Sequence, residues 1–73
     1  MAIAGLEPSE QIFMNEVRRR ARLSNRGHVN IEEARAAVNM DVPGASRAVK
    51  KLEAAGFLQK VSLGIVQVLD FSE

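Results

Sequence analysis

The sequence contains no cysteine, no tryptophan and no tyrosine, and it has a single histidine among its 73 residues. The lack of cysteine excludes disulfide bonds, thiolate catalysis and the zinc sites that depend on cysteine ligands. Three phenylalanines are the only aromatic residues, so a core built mainly from aliphatic side chains and alanine is expected. No apolar run approaches the length of a membrane-spanning helix, and residues 1–6 lack the basic flank of a signal peptide. These absences predict a cytoplasmic protein with no membrane contact.

Signatures of enzymatic chemistry are equally scarce. The chain has no glycine-rich loop of the kind that binds nucleotide phosphates, and no nucleophile with a base and an orienting partner. The single His28 stands next to Gly27, where a capping or solvent-facing imidazole is expected rather than a metal ligand. Glu32 and Glu33 fall in the first turn of a predicted helix, where they complement the helix dipole. The sequence predicts a protein that is not an enzyme and that needs no metal, cofactor or small-molecule ligand.

Charge is unevenly distributed along the chain, although the net charge is only +1. Residues 1–16 carry three acidic residues and no basic one, whereas residues 17–51 carry nine basic residues and three acidic ones, a net charge of +6. Residues 52–73 return to a net charge of −2. A basic middle between acidic ends is expected of a surface that binds a polyanion, the alternative being a solvated face that only keeps the protein soluble.

Hydrophobic periodicity divides the chain into three helices, a short strand and a strand hairpin. The predicted elements are, in order, a helix "PSEQIFMNEVRRRARLS" (8–24), a strand "HVN" (28–30), a helix "NIEEARAAVN" (30–39), a helix from about residue 41 or 43 to 55, and strands "FLQKV" (57–61) and "IVQVLDF" (65–71). Asn30 is expected to cap the second helix and Gly56 to end the third. Residues 1–8 are predicted to form an N-terminal arm and residues 9–73 a single small domain.

The same periodicity separates a buried side from an exposed side on each helix. The residues expected to face the core are Ile12, Phe13, Val17, Ala21 and Leu23 of the first helix, Ile31, Ala34, Ala37 and Val38 of the second, and Ala45, Ala48, Val49 and Leu52 of the third, with Met14 and Met40 as core filler. This assignment leaves Ser46, Arg47, Lys50 and Lys51 on the outward side of the third helix.

Residues 28–71 resemble the winged helix-turn-helix superfamily, as used by MarR-like and related regulators. The stretch "SRAVKKLEAAGFLQKV" is similar to the end of a recognition helix and the strand that follows it, and "IEEARAAVNMDVPGAS" is similar to the supporting helix and turn before it. With the first helix, the resemblance extends over roughly residues 9–71. It implies an α+β winged helix-turn-helix fold, in which three helices accompany a small antiparallel β-hairpin, the wing, in the order α-β-α-α-β-β.

The resemblance also implies that the helix at about residues 43–55 enters the major groove of double-stranded DNA, where a small transcriptional regulator would act. Arg47 would then suit bidentate contact with guanine, and Ser46 contact with a base or a phosphate. Gly44 would allow close approach of the backbone, while Lys50 and Lys51 would contact phosphates. The arginines expected to extend this basic surface along the end of the first helix are Arg18, Arg19, Arg22 and Arg26, with Arg20 beside them.

Two features differ from the family pattern and support a rival interpretation. The third helix starts with Val42, Pro43 and Gly44 in place of a polar run, and the wing "VSLG" has no basic tip. A winged-helix adaptor that binds protein within a larger complex is therefore the alternative. A homodimer is also expected, because one recognition helix buries little surface, and the segments "AIAGL" and "IVQVLDF" are its predicted contact surfaces.

Overall fold

The structure, a computed structural model, describes residues 5–24 and 26–69. Within them the chain forms three helices and one three-stranded antiparallel sheet, a small α+β fold. The elements are, in order, α1 (Pro8–Leu23), β1 (His28–Asn30), α2 (Ile31–Ala37), α3 (Val42–Ala54), β2 (Leu58–Ser62) and β3 (Ile65–Val68). The predicted order of elements is confirmed.

The start of α1 ties the preceding residues to the body of the protein. Glu7 is the N-cap residue, Pro8 follows it at the first helical position, and the Glu7 backbone N–H donates a 2.9 Å hydrogen bond to Glu10 Oε1. Leu6 packs against the core, and the Gly5 carbonyl accepts a hydrogen bond from the Lys51 side chain. The described part of the predicted arm, residues 5–8, therefore contacts the body of the protein, and Pro8 is the first residue of α1. The rest of the predicted arm, residues 1–4, lies outside the described residues.

Side-chain caps mark the starts of α2 and α3, and a left-handed residue lies in the turn between these helices. Asn30 Oδ1 accepts from the Glu33 backbone N–H at 3.2 Å, which confirms the predicted start of α2. Asn39 adopts a positive φ of 55°, which this residue type tolerates better than most. Asp41 then caps α3. At the other end of α3, Gly56 has a φ of 79° just after the C-cap, as its predicted role as helix terminator requires.

Strand β3 lies in the middle of the sheet, with β1 on one side and β2 on the other. His28 pairs with Gln67 across the first ladder, and Ser62 pairs with Ile65 across the second, next to the hairpin turn. Because both edges of β3 are occupied, the predicted dimer surface "IVQVLDF" cannot extend the sheet of a second copy through Ile65–Val68. Residues 70 and 71 of that segment lie outside the described residues.

The core lies between the three helices and one face of the sheet. Its fully buried members with the largest side chains are Phe13, Phe57, Met14, Leu52, Leu58, Val17 and Val66. Three predicted core residues are wrong: Ile12 and Leu23 are 56% and 76% exposed, and Ala37 is also exposed. On α1 the buried stripe is centred on Phe13, Met14 and Val17, which turns Ile12 towards solvent.

Candidate nucleic-acid interface

Helix α3 has one buried side and one exposed side. Its buried residues Ala45, Ala48, Val49 and Leu52 recur at three- and four-residue spacing and pack into the core, as predicted. Ser46, Arg47 and Lys50 lie on the exposed side. Within the described ranges, neither Arg47 nor Lys50 forms a salt bridge with an acidic side chain. This face of α3 therefore presents two cations and a hydroxyl to solvent.

The amino end of α3 is occupied by the protein's own carboxylate. The Gly44 backbone N–H donates a 2.8 Å hydrogen bond to Asp41 Oδ1. Gly44 is buried, and a Cβ atom at this position would lie 2.4 Å from the same oxygen. The glycine thus makes room for the Asp41 cap, and the close approach of a DNA backbone at Gly44 stays a prediction. The negative charge of the Asp41 carboxylate also disfavours a phosphate at this helix end.

Lys51 faces α1 instead of projecting from the outer side of α3. Its Nζ lies 2.8 Å from Glu10 Oε1 and 3.1 Å from the Gly5 carbonyl oxygen. The Glu10 side chain is only 4% exposed and that of Lys51 is 41% exposed, so this ion pair joins α1 to α3 with its carboxylate buried and its cation partly in solvent. Lys51 is therefore a structural contact, and its predicted role in binding phosphate does not fit this geometry.

The pKa of Glu10 is lowered from its ordinary value of 4.5, mainly because its carboxylate accepts the Glu7 backbone N–H. The Lys51 hydrogen bond and the charges of Lys51 and Arg47 lower this pKa further, against the opposing effect of burial. A carboxyl whose pKa falls on folding stabilises the folded state above its unfolded pKa. That stabilisation is lost as the pH falls from 4.5 through the lower folded pKa.

Glu10→Gln should therefore destabilise the protein at neutral pH but not in acid. We expect the free energy of unfolding of Glu10→Gln to lie below that of the wild type at neutral pH, and the two to converge below the lowered pKa of Glu10. Urea unfolding followed by circular dichroism across this range measures the difference. A constant difference at every pH would show that the charge of Glu10 contributes nothing.

The arginines of α1 do not form one continuous basic face. Arg18 is buried at 8% exposure, with its guanidinium carbon 5.3 Å from the centroid of the Phe57 ring. Its Nε has no hydrogen-bond partner, and its Nη1 approaches Asn15 Oδ1 at 3.5 Å. Arg18 therefore belongs to the interior, which corrects its predicted place on the DNA-binding surface.

Glu16 holds two further arginines of α1. Arg19 and Arg20 each lie 2.7 Å from Glu16 Oε2, and Arg20 also approaches Glu33 Oε1 at 3.7 Å. The Arg19 hydrogen bond is the main reason that the pKa of Glu16 is lowered, and the same contact raises the pKa of Arg19. Arg19 is exposed but its charge is partly neutralised by this pair.

Arg22 and Arg26 are exposed at and just beyond the end of α1. Of the sequence-predicted residues, Ser46, Arg47 and Lys50 lie together on α3. Arg22 belongs to α1, and Arg26 lies between α1 and β1.

A groove of about 200 Å³ lies between α2, α3 and the β2–β3 hairpin. The residues of its walls include Val42, Ser46 and Val49 of α3, Lys60 and Ile65 of the hairpin, and the ion-paired Glu32 and Arg35 of α2. Lys60 is exposed and faces the same groove as Ser46, so the hairpin adds a third cation beside the α3 face. Sequence analysis did not include Lys60 among the site residues, because only the pairing of β2 with β3 places it beside α3.

The described residues contain no group of three or more histidine, cysteine, aspartate or glutamate side chains arranged to hold a metal ion. None of the helices that the structure describes is long and apolar enough to cross a membrane. His28 is exposed at the start of β1.

Comparison with known proteins finds no matching family model, no similar curated protein and no similar solved structure. Function must therefore be inferred from the topology of the fold and from the chemistry of its surface.

Proposed function

We propose that the protein is a small winged-helix DNA-binding protein that regulates transcription by placing α3 in the major groove of double-stranded DNA. The order of three helices and a sheet that ends in the β2–β3 hairpin supports this proposal. The observation that carries it is the exposed side of α3, where Arg47 and Lys50 stand without salt bridges among the described residues. Exposed cations on the outer side of a helix suit a polyanion.

Each exposed group has a distinct role in the proposed complex. The Arg47 guanidinium has the planar geometry for two hydrogen bonds to O6 and N7 of a guanine, and the Ser46 hydroxyl can bond a base or a phosphate. Lys50 lies one turn beyond Ser46, where a flexible ammonium group suits a phosphate oxygen better than a base. Lys60 would contact the strand on the hairpin side of α3.

A single α3 buries too little surface for tight specific binding, so we propose that two copies bind adjacent half-sites. Within the described part of the chain, β3 is paired on both edges, so a contact between copies would not extend the sheet through that strand. The predicted surface "AIAGL" falls largely on residues 1–4, outside the described residues.

Salt dependence tests the proposed function directly. If Lys50 and Lys60 each neutralise one phosphate while Arg47 contacts a base, the slope of log K against log salt concentration should be roughly −2 per protein chain on duplex DNA. That slope is measured by fluorescence anisotropy of end-labelled duplexes of random sequence, titrated with the protein at several salt concentrations. Absence of binding at the lowest salt concentration would rule out the proposed function.

The second candidate is an adaptor that binds another protein through the same side of the molecule. The observation that favours it is made at the start of α3, where the Asp41 carboxylate caps the helix. The next residue, Val42, is apolar and 62% exposed. An acidic cap next to an apolar side chain suits a protein surface better than a phosphate. Failure to bind duplex DNA, together with a correctly folded chain, would favour this function.

A further inference from the structure

Four residues of α1 form a stripe on the side of the helix that faces away from the core. Ile12, Glu16, Arg19 and Leu23 are four, three and four positions apart, the spacing that places side chains on one side of a helix. Ile12 and Leu23 are 56% and 76% exposed, and the Arg19 side chain is 59% exposed. These four residues are called the outer stripe below.

The outer stripe is apolar at both ends and electrically neutral at its centre. Glu16 binds Arg19 and Arg20 at 2.7 Å each, and Arg20 also approaches Glu33 at 3.7 Å. Two carboxylates thus offset two guanidinium groups. A polyanion gains little from such a surface, whereas an apolar side chain at each end gains from contact with another apolar side chain.

The outer stripe is complementary to itself in reverse order. The midpoint between Ile12 and Leu23 along α1 is also the midpoint between Glu16 and Arg19. When two copies of α1 lie antiparallel about a twofold axis at this midpoint, Ile12 of each copy faces Leu23 of the other. Glu16 then faces Arg19, whereas a parallel pair would place like charges opposite each other. Charge complementarity therefore selects an antiparallel second copy as the occupant.

A hollow beside Leu23 offers room for the facing isoleucine. Its volume is about 210 Å³, and its lining includes Leu23 and Val29, with Ser24 and Asn30 as polar neighbours. In the antiparallel arrangement, Ile12 of the second copy lies at the mouth of this hollow. Each copy then supplies one projecting side chain and one hollow, and the twofold axis repeats the contact.

We propose that two copies of the protein pair through their outer stripes, with Ile12 of each copy packed against Leu23 and the adjacent hollow of the other. None of the stripe residues belongs to α3, so Ser46, Arg47 and Lys50 stay available to DNA. The pairing itself does not require DNA. Its consequence, a DNA site made of two half-sites in inverted repeat, rests on the proposed function.

Pairing through one helix of each copy gives a weak dimer. With 16 residues, α1 is about 24 Å long, so two such helices bury less surface than a standard interface. We expect a dissociation constant on the order of 10 μM. The ion pairs at the centre are exposed and contribute little energy, so they set the direction of pairing while Ile12 and Leu23 provide most of the affinity.

Sedimentation equilibrium of the full chain without DNA measures this affinity. Ile12→Ala and Leu23→Ala should each weaken the dimer about tenfold, because the twofold axis removes each side chain from two contacts. The matched control is Leu63→Ala, which truncates a fully exposed leucine in the β2–β3 turn and should leave the dimer unchanged. Circular dichroism verifies that each variant is folded.

Introduced thiols report the direction of pairing, since the chain has no cysteine of its own. A mixture of Ile12→Cys and Leu23→Cys, treated with diamide as oxidant, should form a disulfide between chains, whereas neither variant alone should do so. Cross-linking of Ile12→Cys with itself would indicate a parallel pair and overturn the inference.

Two sedimentation results would also overturn the pairing: a wild type that stays monomeric at roughly 100 μM, or a dimer that Ile12→Ala and Leu23→Ala leave unchanged. Neither result affects the proposed function, which the salt titration on duplex DNA tests separately. A monomer that binds duplex DNA at low salt would overturn the pairing alone. A dimer that is sensitive to both substitutions but does not bind DNA would confirm the pairing and overturn the proposed function.

Discussion

Replacement of Arg47 by alanine should weaken binding to duplex DNA about tenfold or more, the largest effect of any single substitution on the exposed side of α3. The reason is that a bidentate contact with guanine contributes roughly 1–3 kcal/mol, whereas one phosphate contact contributes less and carries no sequence information. Lys60→Ala, on the hairpin side of the groove, should weaken binding less and should reduce the salt slope by about one.

Two controls separate base contact from general charge. Arg19→Ala removes an arginine that is exposed but already paired with Glu16, and should weaken binding much less than Arg47→Ala. Duplexes with 7-deazaguanine, which lacks the N7 acceptor, should reduce wild-type affinity and leave that of Arg47→Ala unchanged. Equal losses for Arg47→Ala and Arg19→Ala would mean that Arg47 contributes only charge.

Phe57→Ala should destabilise the protein strongly. Phe57 is 2% exposed, and truncation of a buried phenylalanine costs about 3–5 kcal/mol. A domain of this size has a free energy of unfolding of about 4–11 kcal/mol, so the substitution should remove between about a quarter and all of it. The alanine would also expose Arg18, whose guanidinium lies over the ring. Urea unfolding followed by far-ultraviolet circular dichroism measures the loss, since the chain has no tryptophan to report by fluorescence.

Two further variants divide this loss between burial and the contact with Arg18. Phe57→Leu retains most of the buried volume but removes the aromatic face, and should cost much less than Phe57→Ala. Arg18→Met removes a buried guanidinium whose Nε has no partner, and should change the free energy of unfolding by less than about 1 kcal/mol. A large loss for Arg18→Met would show that the cation over Phe57 stabilises the core.

The order of elements could be predicted from the sequence because local signals specify it. The Asn30 cap, the proline near the start of α3 and the Gly56 terminator mark helix ends through their own backbone preferences. The outward position of Ser46, Arg47 and Lys50 also follows from local information, since helical periodicity alone places them opposite Ala45, Ala48 and Leu52.

The contacts that each basic side chain makes within the fold could not be predicted, because they depend on residues distant in sequence. Lys51 and Glu10 are separated by 41 positions, and Arg18 meets Phe57 only after α1 packs against the end of α3. Periodicity identifies a cation as outward or inward on its own helix, but it carries no information about which carboxylate or ring a neighbouring element brings to it.

The sequence by itself determined three helices, a hairpin and a basic exposed side on α3, because propensity, capping and periodicity act over a few residues. Tertiary structure alone decided that Lys51 pairs with Glu10 of α1, that Arg18 lies in the interior over Phe57, that Gly44 makes room for Asp41, and that the hairpin brings Lys60 beside α3. These outcomes depend on which elements pack together, and packing is set by burial across the whole chain rather than by local preference.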